Sequence, residues 1–543
     1  MKKYAGLWIL PLVLVLISLG TLRVARACWD SLVHFRPPQF AVEPGEKAGP
    51  VARVVLVVVD GLRVDALEKM EYVSALRGRS AFFVLSTGQP SLSLPSSAVI
   101  GTGAWQDVTG VTTNWFEGPV RLDSLFSLAR DSGLSTAIAG GEGWGQLFGS
   151  QSAMTYTRAW KDAYTTFDEE TLAEALEFLS ARPALLAVHF LDADNAGHDF
   201  GAASEEYRKY AGQIDTLIAR LHAALEDDTV LIVTSDHGQR DKGGHGGWEE
   251  VVTRVPFLMC GRPIRPGSYG SARQSDVAPT IAALAGLPIP PYAQGRILDE
   301  ALDLGGEKAR LRELLSAQKE KFARAYLGAI GADVEETRAG LSPAQGDDAG
   351  QYWDRALSRG KGAHLAAGRV RRVPLFLAVL LLPAAALWYF GKKSRLPVRV
   401  PLIITLLFFA LDYALFFISG KSISLSAIND EDMLQAFFSE TMLYVAVSAV
   451  VMAVLIGFLN KKKTGWEAAG SSLLMTAIVA FLIILQIDFF FLYNGPLIAW
   501  HIPDMFLGFK YYLDLMSLVA AGLVSVIIPV VTLGAHRVWR RNR

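Results

Sequence analysis

Residues 53–61 read RVVLVVVDG. Valine dominates the run, and β-branched side chains favour extended chain. An unbroken apolar stretch of this length, stopped by Asp-Gly, marks a strand buried on both faces. Residues 184–190 (ALLAVHF) and 229–234 (TVLIVT) have the same character, the first ending near Asp192 and the second at Asp236. Helical stretches at 169–180 and 203–225 precede them. This alternation predicts an α/β domain with a mostly parallel sheet between helices. Such sheets bind ligands beyond the carboxyl ends of their strands, which is where Asp60, Asp192 and Asp236 fall. A single Asp there reads as a helix cap; three together read as a site.

Outward from this region the chain changes character. Of 543 residues 51% are hydrophobic and only 19% charged, against about 25% in ordinary soluble domains. The 52 basic and 53 acidic side chains leave a net charge of −1. That excludes a strongly basic nucleic-acid binder, and the hydrophobicity excludes a disordered chain. Residues 5–22 form an uncharged apolar segment behind Lys2 and Lys3. They read as an anchor of near-spanning length or as a signal peptide cut after Ala25-Arg26-Ala27. Five further apolar segments, 373–390, 400–418, 442–459, 469–493 and 511–534, predict a five-helix membrane bundle. The resulting plan is an N-terminal membrane segment (1–28), a catalytic domain (50–300), a helix and linker (301–371) and a transmembrane domain (372–543). Residues 339–368 in particular read as linker from their Gly, Ala and polar content.

Loop charge gives the orientation. Lys392, Lys393, Arg395 and Arg399 follow the first of the five spans, Lys461 to Lys463 the third, and Arg537, Arg540, Arg541 and Arg543 the fifth. The other loops carry Asp430, Glu431 and Asp432, or Asp504. By the positive-inside rule the basic loops and the C-terminus are cytoplasmic, and residues 29–371 lie outside the cytoplasm. Within the spans, Asp412 and Asp488 are costly and draw notice as lipid-facing or bundle-pairing groups.

The chemistry concentrates in four places. Asp60 ends the first strand. Ser93 lies in PSLSLPSSAVIGTG (90–103), at a helix start where negative charge is favoured, although a serine there also reads as an N-cap. Asp194 and His198 stand four apart in DNAGH. Asp236 and His237 are adjacent in SDHG, with His245 in GGHGG just beyond. Only Cys28 and Cys260 are available as thiols, which excludes a cysteine-rich metal fold or a disulfide scaffold. Three carboxylates, three histidines and a serine instead suit two adjacent divalent ions, zinc or manganese. Paired ions of this kind serve in-line displacement at phosphorus, and a serine beside them serves as a covalent nucleophile.

In order and spacing these motifs resemble the alkaline phosphatase superfamily, in its type I phosphodiesterase/nucleotide pyrophosphatase branch, over roughly residues 53–290. The segment QSDVAPT (274–280) also resembles a helix start found in that superfamily. The resemblance implies an alkaline-phosphatase-like fold. It implies one zinc held by Asp194, His198 and His245, and a second by Asp60, Asp236, His237 and the Ser93 oxygen. Asn114, which alone reads as a turn residue, stands at the spacing of that branch's phosphate-binding Asn. Residues 107–126 (DVTGVTTNWFEGPVRLDSLF) and 241–259 (DKGGHGGWEEVVTRVPFLM) are similar to the GPI ethanolamine phosphate transferases. That implies a phosphoethanolamine-like headgroup moved from a phospholipid donor through a covalent serine intermediate. The chain departs from those transferases in its shorter tail and in Ser96-Ser97 after the proline. The other readings are a nucleotide pyrophosphatase that transfers to water, and a non-enzymatic transport or scaffold protein. The partners implied are a phosphodiester substrate and the membrane, with no nucleic acid; the sequence leaves oligomeric state and compartment open.

Overall fold

The computed structural model describes residues 9–47, 49, 52–159, 166–339, 341, 349–394, 399–428, 431–460 and 463–541. Lys2, Lys3, Arg395, Asp430, Lys461, Lys462 and Arg543, used above for orientation, lie outside the described residues. The chain divides into two compact units. One holds Leu32–His364 with Ala499–Met505; the other gathers the N-terminal segment to Ser31, Leu365–Ile498 and Phe506–Arg543.

In the first unit the expected mostly parallel sheet is present. Its strands are β1 (Arg53–Val59), β2 (Ala81–Ser86), β3 (Thr136–Gly141), β4 (Met154–Arg158), β5 (Leu185–Phe190), β6 (Thr229–Thr234), β7 (Arg254–Cys260) and β8 (Gly267–Arg273). Their spatial order is β4-β3-β5-β1-β6-β7-β2-β8. Only β7 runs against its neighbours β6 and β2; every other pairing is parallel.

The apolar run that opened the reading sits at the centre. Val54, Leu56 and Val58 pack into one core, and Val55, Val57 and Val59 into a second on the opposite face. Each fully buried valine or leucine of β1 contributes on the order of 1.5–3 kcal/mol, so the strand tolerates polarity on neither side. Val59 pairs with Phe190 of β5, and Val58 with Thr234 of β6. The carboxyl ends of β1, β5 and β6 are therefore level and adjacent. The helices read as 169–180 and 203–225 run Phe167–Leu179 and Glu205–Ala223.

Of the linker expected at 339–368, residues 349–368 are instead the start of helix Ala349–Ser394; residues 340 and 342–348 lie outside the described residues. Trp353, Ala356 and Leu357 bury themselves against Phe322, Tyr326 and Leu327 of helix Glu307–Ala329. Composition missed this because the buried face uses one aromatic and small residues, while Gly360 and Gly362 dilute the helical signal.

The second unit is helical. Six helices among the described residues are long and apolar enough to cross a membrane: Leu10–Val33, Gly350–Tyr389, Arg399–Ile418, Asp432–Leu459, Gly465–Asn494 and Met505–Val524. The first of them continues through Ala25-Arg26-Ala27, and its Leu14 shares a core with Ile404, Val445, Ile483 and Leu518. Gly522 permits close approach there, since a Cβ at that position meets Ser18 Oγ at 1.8 Å and the Leu14 carbonyl oxygen at 2.6 Å. The segment expected as one span over 511–534 is two helices, Met505–Val524 and Ile528–Arg541. Pro529 falls in the first turn of the second helix, where its missing N–H leaves no intrahelical bond unmade.

Candidate active site

The carboxyl edge of β1, β5 and β6 presents Asp60, helix Asp192–Phe200, and the loop Ser235 to Gly247. Asp236 is anchored at one oxygen and free at the other. Its Oδ1 accepts the Gly61 N–H (3.2 Å) and the His237 N–H (2.9 Å). Its Oδ2 has no hydrogen-bond partner among the described residues and stands 3.4 Å from His237 Nε2. Asp60 Oδ1 is likewise buried without a hydrogen-bond partner, 3.3 Å from the same nitrogen. Ser235 Oγ pins the turn by accepting the Leu62 N–H (2.9 Å) and donating to the His237 carbonyl (2.6 Å).

The histidines are oriented from behind. His237 Nδ1 lies 3.2 Å from the Gly238 carbonyl and His245 Nδ1 lies 3.2 Å from the Ser91 carbonyl. Each Nδ1 thus carries the proton and donates it to the main chain, which turns the Nε2 lone pair into the site. Burial, against a weaker pull from Asp194, pushes His237 down to about 4. Burial and the neighbouring His237 push His245 down to about 3. Both rings are neutral at pH 7, the state that ligates metal.

Two donor groups emerge, with His237 between them: Asp60, Asp236 and His237, and Asp194, His237 and His245. His198 joins the second, its Nε2 lying 3.2 Å from Asp194 Oδ2 and 3.1 Å from His245 Nε2. The rings of His237 and His245 stack at 3.6 Å. Burial opposes the Asp194 charge, yet His198 and His245 hold it well below the usual carboxylate range. Burial and the facing Asp236 and Asp194 carboxylates push Asp60 well up. Crowded buried carboxylates with unpaired oxygens aimed at neutral imidazoles are the arrangement a divalent cation neutralises. The residues present therefore fit a metal pair, and all seven oxygen and nitrogen donors read from the sequence converge here.

Ser93 is the first residue of helix Ser93–Thr102, and it does not cap that helix. Its Oγ lies instead 3.0 Å from His237 Nε2, facing the donors. Asn114 is exposed beside it, with Oδ1 accepting the Leu94 N–H at 3.0 Å. That bond fixes the amide and leaves Nδ2 as a donor in front of the helix N-terminus.

Three site residues escaped the sequence reading. His189 of β5 is buried, with Nε2 3.3 Å from Asp60 Oδ2; burial pushes it down to about 4. A lone histidine in an otherwise apolar buried strand was the available signal. Gln239, fully buried, donates Nε2 to Asp194 Oδ1 and to the Asp194 carbonyl. Gln274 Nε2 holds the Asp236 carbonyl at 2.7 Å. Gln239 has no sequence signal beyond its neighbours; Gln274 opens the QSDVAPT segment, which marks a helix start and not a site residue.

Gly61 is where the backbone constraint is sharpest. Its φ is +68°, and a Cβ there meets Asp194 Oδ1 at 2.6 Å and its Cα and Cβ at 3.0 Å. Gly61→Ala is expected to cost about 1–2 kcal/mol from the left-handed backbone alone. It should also weaken metal retention by displacing Asp194. Thermal melts and metal analysis of the variant check this; unchanged metal content would count against the role given to Asp194.

Fold and site together define an α/β domain with a hydroxyl group facing a two-lobed Asp/His donor set at a sheet's carboxyl edge. Residues 148–246 match the family described as type I phosphodiesterase / nucleotide pyrophosphatase, as the motif resemblance implied. Curated relatives include GPI ethanolamine phosphate transferase 1 of Mus musculus, 27% identical over 315 residues. That alignment covers 48% of this chain and 33% of the relative. The catalytic subunit of GPI ethanolamine phosphate transferase 2 of Homo sapiens is 26% identical over 287 residues, covering 48% and 29%. The chain thus spans about a third of the length of the curated relatives it matches. Among solved structures, murine ectonucleotide pyrophosphatase/phosphodiesterase 5 aligns at 14% identity and TM-score 0.40, covering 46% of this chain and all of that one. A wild-type alkaline phosphatase, PafA, aligns at 10% identity and TM-score 0.42, covering 47% and 100%.

Proposed function

We propose that the protein is a membrane-bound, two-metal phosphotransferase that moves a phosphoethanolamine-like headgroup from a phospholipid to an envelope acceptor. The observation that carries this is Ser93: a helix-terminal hydroxyl spared from capping and held 3.0 Å from His237 Nε2 among converging Asp and His donors. The names of the curated relatives supply the headgroup. Asp194, His198 and His245 would hold one ion, and Asp60, Asp236, His237 and Ser93 Oγ the other. The donor chemistry favours zinc, with manganese the alternative. When bound, the ions supply positive charge to the developing phosphoryl and alkoxide oxygens.

The chain's own groups do the rest. Ser93 Oγ forms a bond to phosphorus as the bond from phosphorus to the diacylglycerol oxygen breaks, and the serine proton ends on that oxygen. Asn114 Nδ2 and the helix N-terminus receive non-bridging phosphoryl oxygens. An acceptor hydroxyl then takes the phosphoryl group, and its proton returns to Ser93. We assign catalysis to residues 50–300, outside the cytoplasm, and the C-terminus to the cytoplasmic side, from the basic loops.

The match of residues 148–246 to a phosphodiesterase family favours one second reading, a hydrolase in which water replaces the acceptor. Intact mass of zinc-loaded protein after incubation with phosphatidylethanolamine tests the proposal. A Ser93-dependent gain of one phosphoethanolamine group is expected. No adduct, with Ser93-dependent cleavage of a generic phosphodiester, would replace transfer by hydrolysis. The absence of both adduct and cleavage, in the native protein as in Ser93→Ala, would overturn the enzymatic reading.

Asn114 offers a cleaner test than most. Asn114→Asp keeps an acceptor for the Leu94 N–H but replaces the donor with a carboxylate oxygen. Turnover is expected to fall about 10²–10³-fold or more, with little change in melting temperature. A matching loss of stability would make Asn114 a cap only.

A further inference from the structure

A cavity of about 290 Å³ lies in the helical unit, between helices Gly465–Asn494 and Met505–Val524. Gln486, Phe489, Tyr493, Lys510, Tyr511 and Asp514 contribute to its wall. Lys510 Nζ donates to Gln486 Oε1 at 2.8 Å and pairs with Asp514 Oδ1. An ammonium has three donors, so one is left for a further acceptor. Asp514 Oδ2 accepts no hydrogen bond among the described residues. One ammonium N–H and one carboxylate oxygen are thus left open side by side, a donor and an acceptor for a group that carries both charges.

Ionisable groups within a span are costly, and where present they mark sites. A purely structural ion pair is a weak explanation, because an apolar pair of similar volume holds helices as well. The cavity's position says what would enter it. Phe489 and Leu507, both lining residues, are exposed on the surface of spanning helices, at 52% and 42%. The opening therefore faces lipid. Lys510 and Asp514 lie within about 14 Å of the start of their helix, and Gln486 about 12 Å from the end of its own, taking 1.5 Å per residue. All three sit in the half of the bundle that carries the loop 495–504.

We propose that this cavity binds the headgroup of a zwitterionic aminophospholipid, phosphate oxygens on Lys510 and the primary ammonium on Asp514, with Phe489, Tyr493 and Tyr511 around the glycerol. The cavity is built from residues other than those around Ser93, and its occupancy needs no turnover. Asp488, two residues beyond Gln486, is buried and is not part of the wall.

The test is lipid retention by the full chain, purified as Ser93→Ala so that catalysis plays no part. Equal amounts of phosphatidylethanolamine, phosphatidylcholine and phosphatidylglycerol are supplied, and bound lipid is read by native mass spectrometry. At least fivefold preference for phosphatidylethanolamine is expected. Asp514→Asn should abolish the preference over phosphatidylcholine, and Lys510→Gln should lower retention of all three. Leu507→Trp, which leaves the ion pair intact and fills the mouth, should expel the lipid; it decides the matter if the charge variants do not fold. Equal retention of the three lipids, or unchanged retention in Leu507→Trp, would overturn the proposal. So would displacement by equimolar glycerophosphoethanolamine, which would make the ligand a soluble headgroup.

Discussion

Ser93→Ala is expected to lower turnover by at least about 10³-fold, the scale of losing a covalent nucleophile. The fold should survive, because Ser93 makes no cap and alanine is at ease in the first turn of a helix. Metal content should survive too, since Asp60, Asp236 and His237 keep their places. Turnover, melting temperature and bound metal measured on one preparation separate these expectations. Activity within tenfold of the native protein would show that the attacking oxygen comes from elsewhere, and would return Ser93 to the bland role of a helix-start residue.

Metal removal is expected to have the second largest effect. Asp60 and Asp236 are buried, face one another, and leave one oxygen each without a hydrogen bond. A cation bound to the folded state alone adds about 4 kcal/mol when supplied at 1,000 times its dissociation constant. For a domain of this size that is roughly 2–4 °C of melting temperature per kcal/mol. Chelation should therefore abolish turnover and lower the melting temperature by roughly 8–16 °C, with both restored by added zinc. Loss of activity without a melting shift would place the essential metal outside this donor set.

Much of this was legible in the sequence because each signal was local. The valine run, the Asp at each strand end, Asp194 with His198 four on, and Asp236-His237 before a glycine-rich loop all show their meaning within ten residues. What stayed hidden depends on chain that is distant. His189 gains its role only when β5 lies against β1 and brings it to Asp60. Gln239 and Gln274 act on Asp194 and Asp236 through single side-chain bonds that no periodicity announces. Asp514 falls inside the apolar span 511–534 and Lys510 just before it, and the two acquire meaning from Gln486 on another helix. The linker reading failed for a related reason: the 349–394 helix is stabilised by a partner face on 307–329, not by its own composition.

The central position of β1 also governs when the molecule can become active. It is made before both strands that flank it, which begin at residues 185 and 229. At about 5–20 residues per second, synthesis leaves this valine-rich segment without its neighbours for roughly 10–35 s. Throughout that interval a strongly aggregation-prone stretch is exposed. Asp60 meanwhile has neither Asp236 nor His237 beside it, so a nascent chain that stops before His245 holds no complete centre. The centre forms only once all of these segments are present. Demand for chaperone protection should peak before β6 is made, and products terminated before His245 should be insoluble rather than partly active.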